Sequence, residues 1–451
     1  MNTRTLIALL RQRSTLRRHD AWTRAELEEH QASALRALRD FAVGFSPFYR
    51  DLHRGLGSRP LQELPVVTKA MMMGSFDDFV TDSLHLSEVE EHLAQKPSEL
   101  FRDRYRIAAT SGSTGLRGIF LSDPEEWTNV LASYARAHAW AGLKAGFSRR
   151  TKIAVVSSKT PWHQSAIVGA TLQSRWVQTL RLDATESLDR IVAELEAFAP
   201  EALVGYASMI RALAEEQIAG RLHIRPSAVM CSSEVLTEES ARRIDQAWGA
   251  PPFEVYAATE TAGIASHCEH HRLHLYEDLV ITEIVDSENR PVPAGVYGDK
   301  VLVTVLFSRT QPLIRYEMSD SVAWSAEACE CGRPFALLEG VQGRREDTLR
   351  MAGRDAREID VHPLVIHRGI EGLVARGWQV VQERDRLLVL VEGAAEDADL
   401  AQVAAHLRSA LVAHGALPPP IVIERVQRIP RSALGKAPLI RAIDPLEGRV
   451  P

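Results

Sequence analysis

A short glycine-rich loop is the first part of the sequence that could do chemistry. The stretch 108-AATSGSTGLRGIFL-121 sets three glycines among four hydroxyl residues, beside apolar flanks. Hydroxyls and the exposed N–H groups of a glycine-rich turn form a concavity that binds anions. A triphosphate suits such a loop, and a plain glycine-rich surface turn is the alternative. The candidate binding residues are Thr110, Ser111, Gly112, Ser113, Thr114 and Gly115.

This loop lacks the lysine that P-loop NTPases place at its end. Leu116, Arg117 and Gly118 stand where the sequence Gly-Lys-Ser/Thr would be required. An ordinary P-loop NTPase is therefore disfavoured. If the loop holds phosphates, a positive charge must reach them from elsewhere in the chain.

Three of the four cysteines lie close to histidines or to one another. Cys329 and Cys331 precede a glycine turn, and Cys268 falls within 267-HCEHHRLH-274. In a reducing compartment this favours a metal site over disulfides, and three thiolates with one imidazole suit a closed, structural Zn²⁺ site. Reduced thiols beside surface histidines are the alternative. Spacing alone leaves the histidine open among His267, His270, His271 and His274.

The elements that must position these residues alternate between strand and helix. A helical lead-in runs from Arg4 to about Leu56, and consecutive strands between Leu279 and Trp324 indicate an antiparallel or barrel-like subregion. The alternation is typical of a mostly parallel sheet covered by helices. Its β-rich runs are 152–158, 202–206, 227–233 and 253–258, and its helical stretches are 187–199 and 207–220.

A smaller unit begins at about Gly343. It has a strand pair near 377–393, a helix at 399–414 and a strand at 421–426. The prediction is an α/β protein with a large N-terminal domain, residues 1–343, and a small α+β C-terminal domain, residues 344–451.

Composition excludes several classes of protein. The 451 residues favour two or more domains, and the formal charge of -6 has no one-sign block that would suit nucleic acid or an anionic membrane surface. No apolar run is long enough to span a bilayer, and Leu6 to Leu10 is too short for a secretion signal. We therefore expect a cytoplasmic protein, with its oligomeric state, including a homodimer, left open.

Further segments occur in the order of one known family. In chain order they are 47-PFYRDL-52, 61-LQELPVVTKAMM-72, 110-TSGSTGLRG-118, 204-VGYASMIRALAE-215, 256-YAATE-260, 272-RLHLYEDLVITEIVD-286, 312-PLIRYEMSD-320, 343-GRRED-347 and 430-PRSALGK-436. Across almost the whole chain they resemble the adenylate-forming superfamily, and within it the phenylacetate-CoA ligase branch. The resemblance implies activation of a carboxylic acid by ATP and Mg²⁺ as acyl-AMP, release of pyrophosphate, and transfer of the acid to coenzyme A.

The same resemblance implies roles at the nucleotide. Tyr256 would stack on adenine, Thr259 would bond a phosphate, and Glu260 would hold Mg²⁺, which prefers carboxylate and phosphate oxygens. Asp320 would accept the ribose hydroxyls, and Arg344 would contact ribose or phosphate. The alternative for Thr259 and Glu260 is a capped strand end, and the alternative for Asp320 and Arg344 is that they are solvated surface charges. Further nucleotide-binding residues implied are Ser233, Glu234 and Ala257.

Lys436 would supply the charge that the glycine-rich loop lacks. The resemblance implies that it reaches from a mobile C-terminal domain to bridge the carboxylate and the α-phosphate. Glu346 or Asp347 would be the hinge. Without the family match, a lysine near the C-terminus would be read as a solvated surface residue.

Residues expected to face the acid form a further set. Ser232, Ser233 and Ala257 stand where family members tend to have glycines, so the pocket should be narrow and favour a small acid, with aromatic acids the first choice. His163 is expected to face the acid, and the alternative is a core or surface histidine without a substrate role. The acid-facing residues are His163, Tyr206, Ser232, Ala257, Ala258 and Gly263.

Two further points follow from the resemblance. The branch often carries a metal knot whose histidine matches His274, which gives Cys268, His274, Cys329 and Cys331 as the zinc ligands. The stretch 350–366 departs from the family after the hinge, which puts the acceptor in doubt. The alternatives are therefore transfer to a carrier protein, an amine or another small nucleophile, or a nucleotide-binding protein without catalysis.

Overall fold

The computed structural model describes residues 3–110, 116–143, 150–172, 176–344, 348–354, 357–361, 363–370, 373, 375–432 and 435–442. Its α-helices are α1 Thr3–His19, α2 Arg24–Phe45, α3 Pro47–Leu52, α4 Lys69–Gly74, α5 Phe76–Phe79, α6 Leu86–Gln95, α7 Pro124–Trp140, α8 Gln164–Leu172, α9 Leu188–Phe198, α10 Ala207–Ile218, α11 Glu238–Trp248, α12 Pro363–Ile370 and α13 Leu400–Ala413. Its strands are β1 Arg106–Ala109, β2 Ile119–Ser122, β3 Thr151–Ser157, β4 Val177–Asp183, β5 Ala202–Tyr206, β6 Ala228–Ser232, β7 Phe253–Ala258, β8 Ala262–His267, β9 Leu273–Leu275, β10 Val280–Val285, β11 Lys300–Val305, β12 Tyr316–Met318, β13 Asp320–Ser325, β14 Leu337–Arg344, β15 Leu349–Ala352, β16 Glu358–Val361, β17 Gly377–Gln382, β18 Leu387–Glu392, β19 Ile421–Val426 and β20 Ile440–Arg441.

The largest sheet has nine strands in the order β13-β14-β9-β8-β7-β6-β5-β3-β4. Its β4 to β7 half is parallel, and the pairings from β7 to β13 are antiparallel. The predicted α/β class is confirmed, but the expectation of a mostly parallel sheet is wrong for the second half. Only residues 259–261 join β7 to β8, which is far too short for the crossover that a parallel pair needs.

The region from Leu279 to Trp324 is antiparallel, as expected. β10, β11 and β12 form a three-stranded sheet, so the described strands make an open sheet where the sequence also allowed a barrel-like form. A bridge between Tyr297 and Ala323 joins this region to β13 of the large sheet. Asp320 is the first residue of β13 and pairs with Arg344 of β14.

The N-terminal helices pack against the body of the protein. The expected break falls at Ser46, where α2 ends and α3 begins with Pro47. The Ser46 hydroxyl accepts a hydrogen bond from the N–H of Tyr49 and donates one to the carbonyl of Asp78, which fixes the entry of the chain into the core. Among the described helices, none combines the length and apolar character needed to cross a membrane.

A buried ion network ties α1 to α7. The guanidinium of Arg136 donates to both carboxylate oxygens of Asp278 at 2.7 Å, and Nδ1 of His19 lies 2.7 Å from the same carboxylate. Asp20 lies 3.5 Å from Nε of Arg136. The side chains of Arg136 and Asp278 are 2% and 0% exposed, so each charge depends on the other for its stabilisation.

Residues 349–442 form a hydrophobic core of their own. Strands β17 and β18, helix α13 and strand β19 lie where the sequence placed them, and their apolar residues pack together. The predicted boundary between residues 343 and 344 remains a prediction. This C-terminal unit contacts the large sheet's helices, where Arg211 of α10 donates to the carbonyl of Ala375 at 2.6 Å.

Candidate active site

Three polar side chains meet where β7, β13 and β14 adjoin. The hydroxyl of Tyr256 donates to Oδ2 of Asp320 at 2.8 Å, and Nε of Arg344 lies 3.5 Å from Oδ1. The sheet register explains the second contact, because Asp320 and Arg344 are cross-strand partners. A carboxylate has about four lone-pair positions, so Asp320 retains acceptor capacity beyond these contacts.

The turn between β7 and β8 carries Thr259 and Glu260. Glu260 is half-buried, and burial raises the pKa of its carboxyl, although Arg344 and Lys69 oppose the shift. Within the described part of the chain its carboxylate has no side-chain hydrogen bond. Ala262 closes the turn with a φ of 65°, in the left-handed region. A half-buried carboxylate without a side-chain partner fits the oxygen donor that Mg²⁺ prefers.

Lys436 lies close to these acidic groups. Its Nζ is 5.8 Å from the ring centroid of Tyr206, and its backbone carbonyl accepts from the N–H of Ser432 at 2.8 Å. The turn requires Gly435, whose φ is +77° and whose missing Cβ would lie 2.8 Å from Cβ of Ala184. Burial lowers the pKa of Lys436 to about 8. The charges of Glu234, Asp320 and Glu260 oppose this lowering of the pKa, so the predicted lysine lies within electrostatic range of predicted nucleotide residues.

Glu234 holds the lysine loop against α10. Its carboxylate accepts from the backbone N–H of Ala437 and from that of Ser208, each at 2.8 Å. Arg431 adds contacts to the Ser208 hydroxyl at 3.3 Å and to the Gly435 carbonyl at 2.9 Å. The family resemblance implies a nucleotide role for Glu234, and its partners here are the two backbone amides. Ser233 beside it has a positive φ of 66° and is exposed.

The predicted acid-facing residues lie around the same strand ends. His163 is buried, its Nδ1 lies 2.8 Å from the Ser165 hydroxyl, and burial, with Lys436 adding to it, lowers its pKa to about 4. His163 is therefore neutral at physiological pH. Tyr206 is buried and its hydroxyl accepts from the N–H of Ser158. Ser232 pairs with Tyr206 in the sheet.

The remaining residues of that set lie on β7 and β8. Ala257 and Ala258 are half-buried at the end of β7, where Ala257 pairs with Gly263. A Cβ on Gly263 would lie 2.9 Å from the Tyr276 ring and 3.1 Å from the Ser133 hydroxyl, so close packing against α7 requires glycine. A role for Gly263 toward the acid stays a prediction.

A hydrogen-bond chain that the sequence did not single out reaches Thr259. The hydroxyl of Tyr134 donates to Gln164 at 2.8 Å, and Nε2 of Gln164 donates to the Thr259 carbonyl at 3.2 Å. Gln164 follows His163 directly, but no spacing rule signals this role. Lys69, whose charge acts on Glu260, lies in a segment that the family match covers. Side-chain convergence of this kind becomes visible only in three dimensions.

The glycine-rich loop is described only at its ends. The Thr110 hydroxyl accepts from the N–H of Gly118 at 2.8 Å, which closes the loop's base. Arg117 stacks on Trp162, with its guanidinium carbon 4.8 Å from the ring centroid, and its buried Nη2 has no hydrogen-bond partner in the described structure. The predicted residues outside the described ones are Ser111, Gly112, Ser113, Thr114 and Gly115 of the loop, and Glu346 and Asp347 of the hinge.

The four predicted zinc ligands come together in the structure. The candidate ligand atoms of Cys268, His274, Cys329 and Cys331 all lie within 4.8 Å of one another. Sγ of Cys268 is 3.7 Å from Sγ of Cys329, and Sγ of Cys331 is 3.2 Å from Nε2 of His274. Two sulfurs bound to zinc at about 2.3 Å in a tetrahedron would be about 3.8 Å apart. The donor set therefore fits zinc.

The structure also selects the histidine. Nδ1 of His274 donates to the Phe335 carbonyl at 3.0 Å, which leaves Nε2 facing the thiols, as in many zinc-bound histidines. The other candidates are directed elsewhere: His267 accepts from the N–H of Glu254 at 3.0 Å, and Nδ1 of His271 lies 3.3 Å from the Pro252 carbonyl. The choice made from the family resemblance is the one that the geometry supports.

Comparisons with known proteins agree with this arrangement. No family model matches the chain. The phenylacetate-coenzyme A ligase of Thermus thermophilus is 26% identical over 389 residues, which cover 81% of this chain and 80% of that protein. The crystal structure of 2-hydroxyisobutyryl-CoA ligase in the postadenylation state superposes with a TM-score of 0.73 at 22% identity, over 96% of this chain and 92% of that chain.

The same ligase in its thioesterification state, in complex with 2-HIB-AMP and CoA, gives a TM-score of 0.58 at 20% identity over 94% of this chain and 92% of that chain. The overall fold is shared in both comparisons. In sequence and in fold, the proteins that this chain is similar to are therefore acid–coenzyme A ligases.

Proposed function

We propose that the protein activates a small carboxylic acid with ATP and transfers it to coenzyme A. In the first step a carboxylate oxygen attacks the α-phosphorus, the bond to the β-phosphate oxygen breaks, and pyrophosphate leaves. In the second step the thiolate of coenzyme A attacks the acyl carbon, and AMP leaves with the bridging oxygen. Both steps bring anions together, so alignment and charge neutralisation carry the catalysis.

The position of Lys436 is the observation that carries this proposal. A half-buried ammonium lies in the field of Glu234, Asp320 and Glu260, in a loop that Glu234 holds in place. A lysine is suited to bridging two anions because it is a compact point charge on a flexible stem. A protein that binds a nucleotide without reacting it would not need a lysine from the C-terminal unit at this position.

Other residues of the site would bind and orient the nucleotide. Asp320, held by Tyr256 and Arg344, offers its remaining acceptor positions to ribose hydroxyls. Nη2 of Arg117 has no hydrogen-bond partner among the described residues, which supports a hydrogen bond from this nitrogen to a phosphate. Glu260 would hold Mg²⁺, which when bound neutralises phosphate charge.

We propose that the acid is small, and aromatic acids remain the first choice. Support comes from the buried, neutral His163 and the half-buried Ser232 at the strand ends. Short hydroxy acids are tested beside aromatic ones, because one of the similar solved structures is a 2-hydroxyisobutyryl-CoA ligase.

A screen tests the proposal as a whole. Purified protein with ATP and Mg²⁺ is given a panel of aromatic and short hydroxy acids, and pyrophosphate release and thioester formation are measured with and without coenzyme A. We expect at least one acid to release pyrophosphate and to form a thioester when coenzyme A is present. Pyrophosphate release without a thioester would favour a carrier protein or an amine as the acceptor, and would overturn the second step.

Glu234 should act as a positioning residue for Lys436. The two carboxylate oxygens of Glu234 accept from the backbone N–H groups of Ala437 and Ser208. The glutamine in Glu234→Gln has one amide oxygen in their place. Losing one charge-assisted hydrogen bond should slow pyrophosphate release about tenfold. Thioester formation from supplied acyl-AMP should change less, since the lysine loop serves the first step. Glu238→Gln, at an exposed position on α11, is the matched control. Equal slowing of both half-reactions would argue against this role.

We further propose that Cys268, His274, Cys329 and Cys331 hold a structural zinc ion. A site closed by four protein ligands has no open position for catalysis, so its effect should be on stability. Protein purified without chelator should contain about one zinc per chain. His274→Ala should lose that zinc and unfold at a lower temperature, whereas His270→Ala should retain it because His270 is exposed and outside the cluster. Equal zinc content in both variants would overturn the ligand assignment.

A further inference from the structure

A second cavity lies beside the candidate active site. It has a volume of about 310 Å³ and is enclosed by β1, α8, β4 and the segment 97–99. Arg106 lines both this cavity and the smaller one beside Thr259 and Glu260, so the two spaces are neighbours. Its volume is at the lower end of the range for small-molecule sites, about 300–1,000 Å³. We call it the α8 groove.

Positive charge predominates in the α8 groove. Arg106, Lys159 and Arg181 line it, whereas Glu99 is its acidic residue and lies 3.7 Å from Lys96. Lys159 lies 3.4 Å from a carboxylate oxygen of Glu186. Lys159 therefore has a nearby carboxylate, and the charges of the two arginines remain to be balanced.

Among the residues that the structure describes, neither arginine has a partner for its charge. Arg106 and Arg181 are half-buried, and neither makes a hydrogen bond or ion pair with the described residues. The stem of Arg181 packs where Gly169 lacks a side chain, with Cδ 3.4 Å from the position of a Cβ. The guanidinium of Arg106 lies 5.2 Å from the ring centroid of Trp127. Both side chains are thus held in place by packing alone.

Two arginines elsewhere in the interior of the protein are paired. Arg136 has Asp278 at 2.7 Å, and Arg315 has Glu283 at 3.1 Å. In contrast, burial lowers the pKa of Arg106 and of Arg181, and no carboxylate opposes it. A half-buried cation without a counter-charge is destabilising unless a bound anion supplies one.

We propose that the α8 groove binds a small organic phosphate, whose phosphate group contacts both Arg106 and Arg181. Each guanidinium offers a planar fork of N–H donors. A phosphate has more terminal oxygens and more negative charge than a carboxylate, so one phosphate can accept hydrogen bonds from both guanidiniums. Ile107, Ala166 and Ile167 give the groove an apolar wall for the organic part. Binding here does not depend on the proposed adenylation.

The test is direct titration with the nucleotide site already occupied. Full-length protein saturated with a non-hydrolysable ATP analogue is titrated by calorimetry with coenzyme A, adenosine 3′,5′-bisphosphate, pyrophosphate and succinate. The variants are Arg181→Gln and, as a matched control, Arg36→Gln, which is exposed on α2. Arg181 is chosen because, of the two arginines, it lines only the α8 groove.

We expect at least one phosphate compound to bind. Arg181→Gln should raise the dissociation constant of that compound at least about tenfold, which corresponds to the loss of one charge-assisted hydrogen bond. Arg36→Gln should bind as the unmodified protein does. Binding of coenzyme A and the bisphosphate would identify a nucleotide phosphate, whereas binding of pyrophosphate alone would overturn the assignment to an organic phosphate. Arg181→Lys, which keeps the charge, should retain intermediate affinity if the glutamine variant fails to fold. The proposal is overturned if no phosphate compound binds, if Arg181→Gln leaves affinity unchanged, or if succinate alone binds.

Discussion

Replacement of Lys436 by alanine should reduce acid-dependent pyrophosphate release by about 10²–10³-fold, the effect of removing one group that stabilises developing charge. The lysine is the cation placed among Glu234, Asp320 and Glu260, and the glycine-rich loop has no lysine of its own. ATP binding should change little, because the predicted ribose and Mg²⁺ residues remain. This separation of catalysis from binding distinguishes an adenylating enzyme from a nucleotide-binding protein.

Two measurements check this prediction. Pyrophosphate release in a single turnover gives the rate, and calorimetric titration with ATP gives the dissociation constant. Lys96→Ala is the matched control, because its side chain is exposed and pairs only with Glu99. If Lys436→Ala retains the rate of the unmodified protein, then Lys436 is not the bridging cation.

The pH dependence offers an independent check on the same residue. Burial lowers the pKa of Lys436 to about 8, and Arg344 acts in the same direction. The charged form therefore predominates below that pH and is lost as the pH rises through it. kcat/KM for ATP reports the free enzyme, so it should fall on the alkaline side with a midpoint near that pKa. Lys436→Arg keeps its charge to higher pH and should lack this alkaline fall. An unchanged alkaline limb in this variant would assign it to another group.

Replacement of Arg136 by alanine should lower the free energy of unfolding by about 3–5 kcal/mol, the cost of leaving one member of a buried ion pair alone. The pair joins α1 to α7 through Asp278, and His19 depends on the same carboxylate. Burial alone would raise the pKa of Asp278, but Arg136 outweighs it and holds the pKa well below the usual range. The stability due to Asp278 is therefore present above the carboxyl's usual pKa and is lost as the pH falls below it.

Chemical denaturation followed by circular dichroism measures this loss. Arg59→Ala, which breaks an exposed pair with Glu63, should cost less than about 1 kcal/mol. The double variant Arg136→Met with Asp278→Asn should be more stable than Arg136→Ala, because no uncompensated charge remains buried. If Arg136→Ala matches the Arg59 control, the network is not a major contributor to stability.

The sequence predicts most elements of the fold because their local signals agree with the tertiary structure. Helix α2 ends where Ser46 and Pro47 place a break, and α9 and α10 lie within one or two residues of their predicted bounds. The β-rich runs on which the parallel sheet was predicted, β3, β5, β6 and β7, are parallel neighbours. The sheet continues from β7 to β13 in antiparallel pairings, because a three-residue turn joins β7 to β8.

At the candidate site, the family resemblance selected residues that composition could not. It placed Lys436 beside Asp320 and Glu260, and it chose His274 among four histidines. Contacts specific to this chain were not predictable, since they depend on convergence in space. Glu234 accepts from the backbone of Ala437, a bond between segments about two hundred residues apart.

Detection of the acyl-adenylate tests the central claim most directly. The protein is incubated with ATP, Mg²⁺ and the acid that releases most pyrophosphate, without coenzyme A, and the acid-soluble and protein-bound fractions are analysed by mass spectrometry. The account predicts acyl-AMP in an amount equal to the pyrophosphate formed, bound to the protein until coenzyme A is added. ATP that binds but yields neither acyl-AMP nor pyrophosphate with any acid of the panel would contradict it and leave a nucleotide-binding protein without catalysis.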